Sequence, residues 1–335
     1  MSNDHSATKH ELLSTKNPGD SFAGVYLVDS VAEKKTSGGK SFSDINIRDR
    51  SGVRSLKYWG VIPNLKRGDF IAALIRVETY QGNPSFSSSE CVKDDAPSDL
   101  SDYVPTYPDV SGFPARFNAF VDKIKALEGN DNTCSIIVEQ VFADGYFEKF
   151  KNAPGSVSPF YGRIGGSICR TLRVATACDS LATAYGLERR QHAMLLASAL
   201  LHRSGGAVAF RFDCGMPEYT DDGMLIGVAG LSILRFKTAI DARKKEIDWN
   251  HTGRLLMHNI QASIGTNIKP MTIEAILLSM AAKTDLQVSE AMDFIETNGA
   301  PASGSFTAFD PTLRRRFYVS EDNRDISHDD DKPQE

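Results

Sequence analysis

The sequence predicts an α+β chain of two folded regions, a small closed barrel of five strands followed by an all-helical bundle. Three observations predict it. At 335 residues the chain has room for two domains, each large enough to bury its own core. Residues 21–93 alternate apolar and polar side chains between turn signals, the period of half-buried strands. From about Pro114 to Tyr318 the apolar spacing becomes helical, and the Pro/Asp/Ser-rich stretch DDAPSDLSDYVPTYPDVSG at 94–112 marks the change as a linker.

Strands are expected near 22–33, 41–49, 52–59, 69–79 and 85–93. KKTSGGK, from Lys34 to Lys40, separates the first pair, and Asp49-Arg50-Ser51-Gly52 makes the tight turn of a hairpin. Period two places Ile45 and Ile47 on one face of the second strand and Phe42, Asn46 and Arg48 on the other. Helices are expected over 114–127, 133–151, 165–186, 189–204, 222–245, 248–262, 271–283 and 287–297. The fourth is apolar almost all round (Met194, Leu195, Ala197, Leu200, Leu201), which marks the centre of a bundle. Residues 1–19 and the acidic tail 320–335 have no apolar anchor and are expected to be disordered. The expected domains are therefore 20–93 and 113–319.

Composition narrows the function classes. Lys+Arg of 38 against Asp+Glu of 43 gives a formal charge of -5, so any contact with nucleic acid must use a local basic face. Five cysteines, scattered and without a CxxC pair, follow an N-terminus with no apolar leader. A cytoplasmic protein without disulfides or a cysteine zinc site is expected. Apolar runs such as Ala193 to Leu201 fall short of the roughly 20 residues that cross a bilayer, so no membrane partner is expected. KTSGGK lacks the spacing of a phosphate-cradling Walker loop, and neither GxSxG nor HExxH occurs.

The run SDINIRDRSGVRSLKYWG resembles the second and third strands of the OB fold: an alternating strand, an Asp-x-Ser-Gly turn at Asp49, Ser51 and Gly52, then a strand ending in Trp59. Such barrels bind single strands on that face by aromatic stacking and a positive groove. The resemblance implies an OB-type domain with nucleic-acid contacts at Lys34, Lys35, Lys40, Phe42, Asn46, Arg48, Arg54, Lys57, Tyr58, Trp59 and Tyr80. The alternative is that Tyr58 and Trp59 plug the barrel and the lysines belong to a solvated loop. LRRRFYVS, from Leu313, sets three arginines beside two aromatic residues and offers either an extension of that path or a packing strand.

The segment FKNAPGSVSPFYGRIGGSICRTLRVA, followed by LLASALLHRSGG, resembles the metal-dependent phosphohydrolase HD domain, in the form found in YhaM-type 3′→5′ exoribonucleases, which also carry an N-terminal OB domain. Pro154, Gly165, Gly166, Thr171, Leu172, Val174 and Leu200-Leu201-His202 match that framework. The departures fall on the chemistry. The family's paired histidines become Phe160 and Tyr161, its first ligand histidine becomes Arg170, and its His-Asp doublet becomes His202-Arg203. His258 keeps one ligand place, the next falls near Ser279 or Met280, and Asp293 stands near the final one. Arginine has no lone pair for a metal, and a fixed guanidinium repels a dication. A degenerate HD-type bundle is expected, with no catalytic residue, metal or other cofactor. Arg163, Arg170 and Arg203, with His202 and His258, then have two readings. Either they form a phosphate-gripping anion site, or the arginines pair with carboxylates and the bundle survives as scaffold, the commoner use of arginine.

The expected function is that of a non-catalytic protein binding single-stranded DNA or RNA through the barrel. The bundle would be a scaffold or a dock for partners of nucleic-acid processing. Related HD domains occur in relaxases, so a role in mobile-element or phage DNA metabolism fits. Two other classes stay open. One is a metal-dependent 3′→5′ exonuclease or phosphohydrolase using His202, His258, Asp293 and a carboxylate such as Asp213 or Asp221. The other is a protein-protein assembly factor.

Overall fold

The structure is a computed structural model. It describes residues 10–35, 39, 41–80, 83–97, 101–107, 109–213, 215–243, 249–263, 268–298, 305–311 and 313–319. Lys40 and the tail from residue 320 lie outside the described residues, as does the N-terminal stretch through residue 9. Two compact units emerge, one comprising Met1–Tyr107 with Phe212–Met216, the other Pro108–Arg211 with Pro217–Glu335.

The first unit is a closed five-stranded barrel of β1 (Ser21–Lys35), β2 (Ser41–Asp49), β3 (Gly52–Tyr58), β4 (Phe70–Tyr80) and β5 (Asn83–Asp94), in the order β1-β2-β3-β5-β4. All neighbours are antiparallel except β3 and β5, whose parallel pairing sets Leu56 opposite Phe86. Closure removes the free sheet edges that would otherwise template aggregation. Strict alternation fills the interior: Ile45, Ile47, Leu56, Ile71, Ile75 and Phe86 form the core.

The β2–β3 turn shows why the residues of the Asp-x-Ser-Gly run are needed. Gly52 sits at φ +136°, a conformation that a side chain disfavours. Asp49, fully buried, accepts from Ser51 N at 2.8 Å and from Ser51 Oγ at 2.5 Å, holding the turn from within. The same carboxylate reaches back to the N-terminal segment, accepting from Leu13 N at 2.6 Å and contacting His10 Nε2 at 3.4 Å. Burial by itself would make the Asp49 carboxyl harder to ionise. The hydrogen bonds from His10, Ser51 and Leu13 outweigh it and hold the group below the usual carboxylate range. Residues 10–19 thus differ from the expected disorder. Leu13, in a short 3₁₀ turn, is 1% exposed and belongs to the barrel core. A single apolar residue among polar ones has no periodicity to announce it.

The second unit is helical: α1 (Phe113–Glu128), α2 (Thr133–Val141), α3 (Tyr146–Asn152), α4 (Gly166–Ala184), α5 (Arg189–Leu201), α6 (Gly206–Ala209), α7 (Asp221–Leu225), α8 (Gly227–Ala242), α9 (Arg254–Ser263) and α10 (Ile273–Asn298). Every residue of α5 from His192 to Leu201 is buried, as its continuous apolar sequence demands. A capping box between Glu188 and Gln191 starts it. Polar contacts tie it to its neighbours: Asn259 of α9 donates to Ser198 Oγ at 3.0 Å, and Thr272 donates to Asn259 Oδ1 at 2.8 Å.

Four boundaries differ from the periodicity. The segment 133–151 is two helices, because Asp144 turns left-handed at φ +56° between α2 and α3. The segment 222–245 likewise breaks into α7 and α8. A two-stranded hairpin, β6 (Phe210–Asp213) and β7 (Met216–Tyr219), precedes them where no element was expected. The last two expected helices are one, α10, running 26 residues through 284–286.

Candidate functional site

Two constellations carry chemistry, one on each unit. On the barrel, register decides which predicted residues come together. Along β2 the outward row is Phe42, Asp44, Asn46 and Arg48; on β3, Lys57 lies opposite Asp44 and Ser55 opposite Asn46. Trp59, just past β3, lies against Phe42 with ring centroids 5.4 Å apart, yet it stays 62% exposed. Lys57 Nζ lies 5.0 Å from the centroid of the Tyr80 ring, and Tyr80 is 60% exposed at the end of β4. Large aromatic side chains normally bury their rings. Here Trp59 and Tyr80 rest on Phe42 and Lys57 and leave much of their surface to water.

The charges on this face are largely spoken for. Lys34 is ion-paired with Asp44, which also accepts from Ser55 Oγ at 2.6 Å. Partial burial opposes ionisation of Asp44, but Lys34, Ser55 and Lys57 outweigh it and hold its pKa below normal. Arg48 Nε lies 3.1 Å from Asp29, and Asn46 donates to Ser30 Oγ at 2.8 Å. Lys35 is exposed at the end of β1.

Two predicted residues do not join the outer row, because alternation puts them on the Leu56 side of β3. Tyr58 packs against the barrel core. Arg54, opposite Ile47, is half-buried and donates from Nη1 to the Val53 carbonyl at 3.0 Å. The outward residue that the sequence reading passed over is Asp44; it was visible in the same alternation, but a search for cations and rings does not register a carboxylate.

In the helical unit the loop before α4 folds back tightly on the helix start. Gly155 N donates to Tyr161 O at 2.8 Å, and a Cβ on Gly166 would come within 2.0 Å of that same carbonyl, so only glycine fits there. This packing places Tyr161 beside Arg170 on the first turns of α4. The Arg170 guanidinium lies 5.0 Å from the Tyr161 ring centroid, and its Nε is 3.1 Å from Asp285 Oδ2. The other oxygen of Asp285 accepts from the Tyr161 hydroxyl. Both charged side chains are under a tenth exposed. Burial, then the Asp285 charge, pushes the Tyr161 phenol far up, so it acts as donor. Arg170 thus follows the pairing reading, through a carboxylate 115 residues away that the sequence did not single out.

Arg203 is different. It is half-buried and donates from Nη2 to the Gly155 carbonyl at 3.0 Å, and among the described residues no carboxylate lies within ion-pair distance of it. Burial, then the Arg170 charge, pulls its pKa down to about 9, which leaves it protonated at neutral pH. Its neighbour His202 is 1% exposed, with Nδ1 2.7 Å from the Ala199 carbonyl. A carbonyl only accepts, so the ring proton sits on Nδ1 and Nε2 bears a bare lone pair. Burial, then the Arg203 charge, lowers this histidine to about 3, and it is neutral. Arg163 donates from Nε to the Pro159 carbonyl at 3.3 Å. His258 lies apart in role, its Nε2 accepting from Met271 N at 2.9 Å.

These residues do not suit a divalent metal. Both Asp285 oxygens are engaged, and the charges of two guanidiniums, Arg203 and Arg170, reach His202. Of the carboxylates considered for a metal, Asp213 lies on β6, Asp221 opens α7 and Asp293 lies on α10. Among the described residues no three His, Cys, Asp or Glu side chains gather to hold an ion. The described part of LRRRFYVS, 313–319, folds back on the chain before it, Tyr318 bridging to Phe306 and Arg315 to Asp310, with Phe317 6.1 Å from the Phe294 ring. No helix is long and apolar enough to cross a membrane among the described residues. No protein-family model matches the chain, and no curated protein matches its sequence.

Proposed function

We propose that this chain binds single-stranded nucleic acid, DNA or RNA, on the outer β2–β3 face of the barrel, and that the helical unit is a scaffold without a metal-dependent hydrolytic site. The observation that carries the reading is the exposure of Trp59 and Tyr80 on supports that fix their orientation, Phe42 and Lys57. A strand's bases stack on such rings, at about 1–3 kcal/mol per base, without regard to sequence. The order β1-β2-β3-β5-β4, with its parallel β3–β5 closure, supports the OB-like assignment on which this face is a binding surface. Fold alone does not name a function; the exposed rings and their supports are what suit this face to a strand.

Fluorescence anisotropy with labelled single-stranded DNA and RNA tests it. The double variant Trp59→Ala, Lys57→Ala is expected to weaken binding by about tenfold or more, since it removes one stacking ring and the cation that supports the second. Flat titrations for the unaltered protein with both nucleic acids would reject the proposal and favour an assembly role.

A further inference from the structure

In the helical unit the half-buried Arg203 has no ion pair among the described residues, and buried hydrogen-bonding groups lie near it in the chain. The charges of Arg170 and Asp285 both reach Arg203, but Asp285 spends one oxygen on Arg170 and the other on Tyr161. Among the described residues Arg203 bonds to a neutral carbonyl, that of Gly155. Among the described residues, Thr171 Oγ1, His202 Nε2 and Ser204 Oγ are buried without a hydrogen-bond partner; Thr171 follows Arg170 in the chain, and His202 and Ser204 flank Arg203. Buried polar groups are nearly always satisfied, and a half-buried guanidinium calls for an anion. Such groups are completed by ordered water, an ion or a ligand, and beside a guanidinium the partner that also meets its charge is an anion.

We infer that Arg203 and His202 form an anion site for a phosphate monoester. Two demands select that chemistry. The guanidinium fork asks for an oxyanion, which phosphate meets with paired acceptors. The bare Nε2 lone pair of His202 asks for a donor, so the ligand must also bring a hydroxyl. A monoester near its second ionisation, with a pKa of about 6, carries both an anionic oxygen and a P–OH. Sulfate and a phosphodiester carry the oxyanion without the proton. Arg170 is held back from the ligand by Asp285 and fixes the positive field around it, while the Ser204 hydroxyl is free to donate. The monoester's source is either a free nucleotide or the terminal phosphate of a strand, which share this group. The inference does not depend on the barrel binding anything.

The test measures thermal unfolding of the full chain at slightly acidic pH and matched ionic strength, with inorganic phosphate, a mononucleotide, dimethyl phosphate, sulfate or chloride. Phosphate and the mononucleotide are expected to raise the melting temperature by a few degrees at about ten times their dissociation constant, and the other three by less. Arg203→Gln is expected to abolish the difference. Arg203→Lys, which keeps the charge but loses the fork, is expected to bind phosphate about tenfold more weakly by ³¹P line broadening, a readout that does not require the Gln variant to fold. Oligonucleotides with and without a terminal phosphate separate the sources: a preference for the phosphorylated end that vanishes in Arg203→Gln, but survives in Trp59→Ala, assigns the strand terminus. No shift with phosphate, an equal shift with sulfate, or a shift retained in Arg203→Gln would overturn the site. Loss of oligonucleotide binding in Trp59→Ala with phosphate stabilisation intact separates this inference from the proposed function.

Discussion

Asp44 is a carboxylate in the middle of a face proposed to meet phosphates. It pairs with Lys34, accepts from Ser55 and lies opposite Lys57, so it draws down the two nearest cations. On a surface made for tight backbone binding such a residue is a handicap; on a surface that relies on rings it holds lysines in place and limits nonspecific charge binding. Asp44→Asn keeps the size and the acceptor for Ser55 while releasing Lys34 from its ion pair. Its expected effect is affinity for single strands about threefold higher, with a steeper salt dependence by nearly one counterion. Anisotropy titrations at low and near-physiological salt would show it, and unchanged affinity would mean that the strand does not pass over Asp44. A second residue reports through pH. His202 is neutral and buried, its pKa moved from 6.5 to about 3. A base that loses proton affinity on folding contributes its full stability above its unfolded value, and that contribution drains away as pH falls from 6.5 toward 3. The slope is at most about 1.4 kcal/mol per pH unit. His202→Gln cannot titrate, so its urea midpoint is expected to decline less on mild acidification than that of the unaltered protein.

At the scale of elements, the Arg170–Asp285 pair joins α4 to α10 through the bundle interior, with Tyr161 from the preceding loop as a third member. Removing one partner of a buried pair strands the other, whereas replacing both by apolar groups is often near neutral. Asp285→Ala is therefore expected to destabilise by about 3 kcal/mol or more, and Arg170→Met, Asp285→Leu to recover most of that loss in chemical denaturation. This pair also marks where the sequence stops being legible. The barrel strands could be read from period two, because alternation is local and the turn residues Asp49, Ser51 and Gly52 punctuate it. The buried α5 could be read from its unbroken apolar run. Asp285 could not: its meaning lies in a residue 115 positions away, and the polar stretch around it read as the end of a helix rather than the middle of α10. The β6–β7 hairpin was hidden for a related reason, since its strands are four residues each, too short for a period to register. Parity also puts Arg54 and Tyr58 on the Leu56 side of β3, which for Tyr58 is the barrel-plugging alternative the sequence left open.

For the whole molecule, charge constrains how the proposed binding must work. A chain with a formal charge of -5 repels a polyanion at long range, and the cations of the β2–β3 face are mostly committed, Lys34 to Asp44 and Arg48 to Asp29. Electrostatic funnels bind single strands by releasing counterions, at about 0.7 per phosphate contacted. Among the described residues of this region the principal cations outside an ion pair are Lys57 and the exposed Lys35, so about two phosphates are neutralised and the slope of log affinity against log salt should be close to -1.5. Stacking on Trp59 and Tyr80 is insensitive to salt, so the greater part of the binding energy should survive at high ionic strength. Titrations across a wide range of potassium chloride measure this directly. A slope of about -5 or steeper would place the strand on a basic surface other than this face, because no arrangement of the committed cations supplies that many contacts without first breaking their pairs.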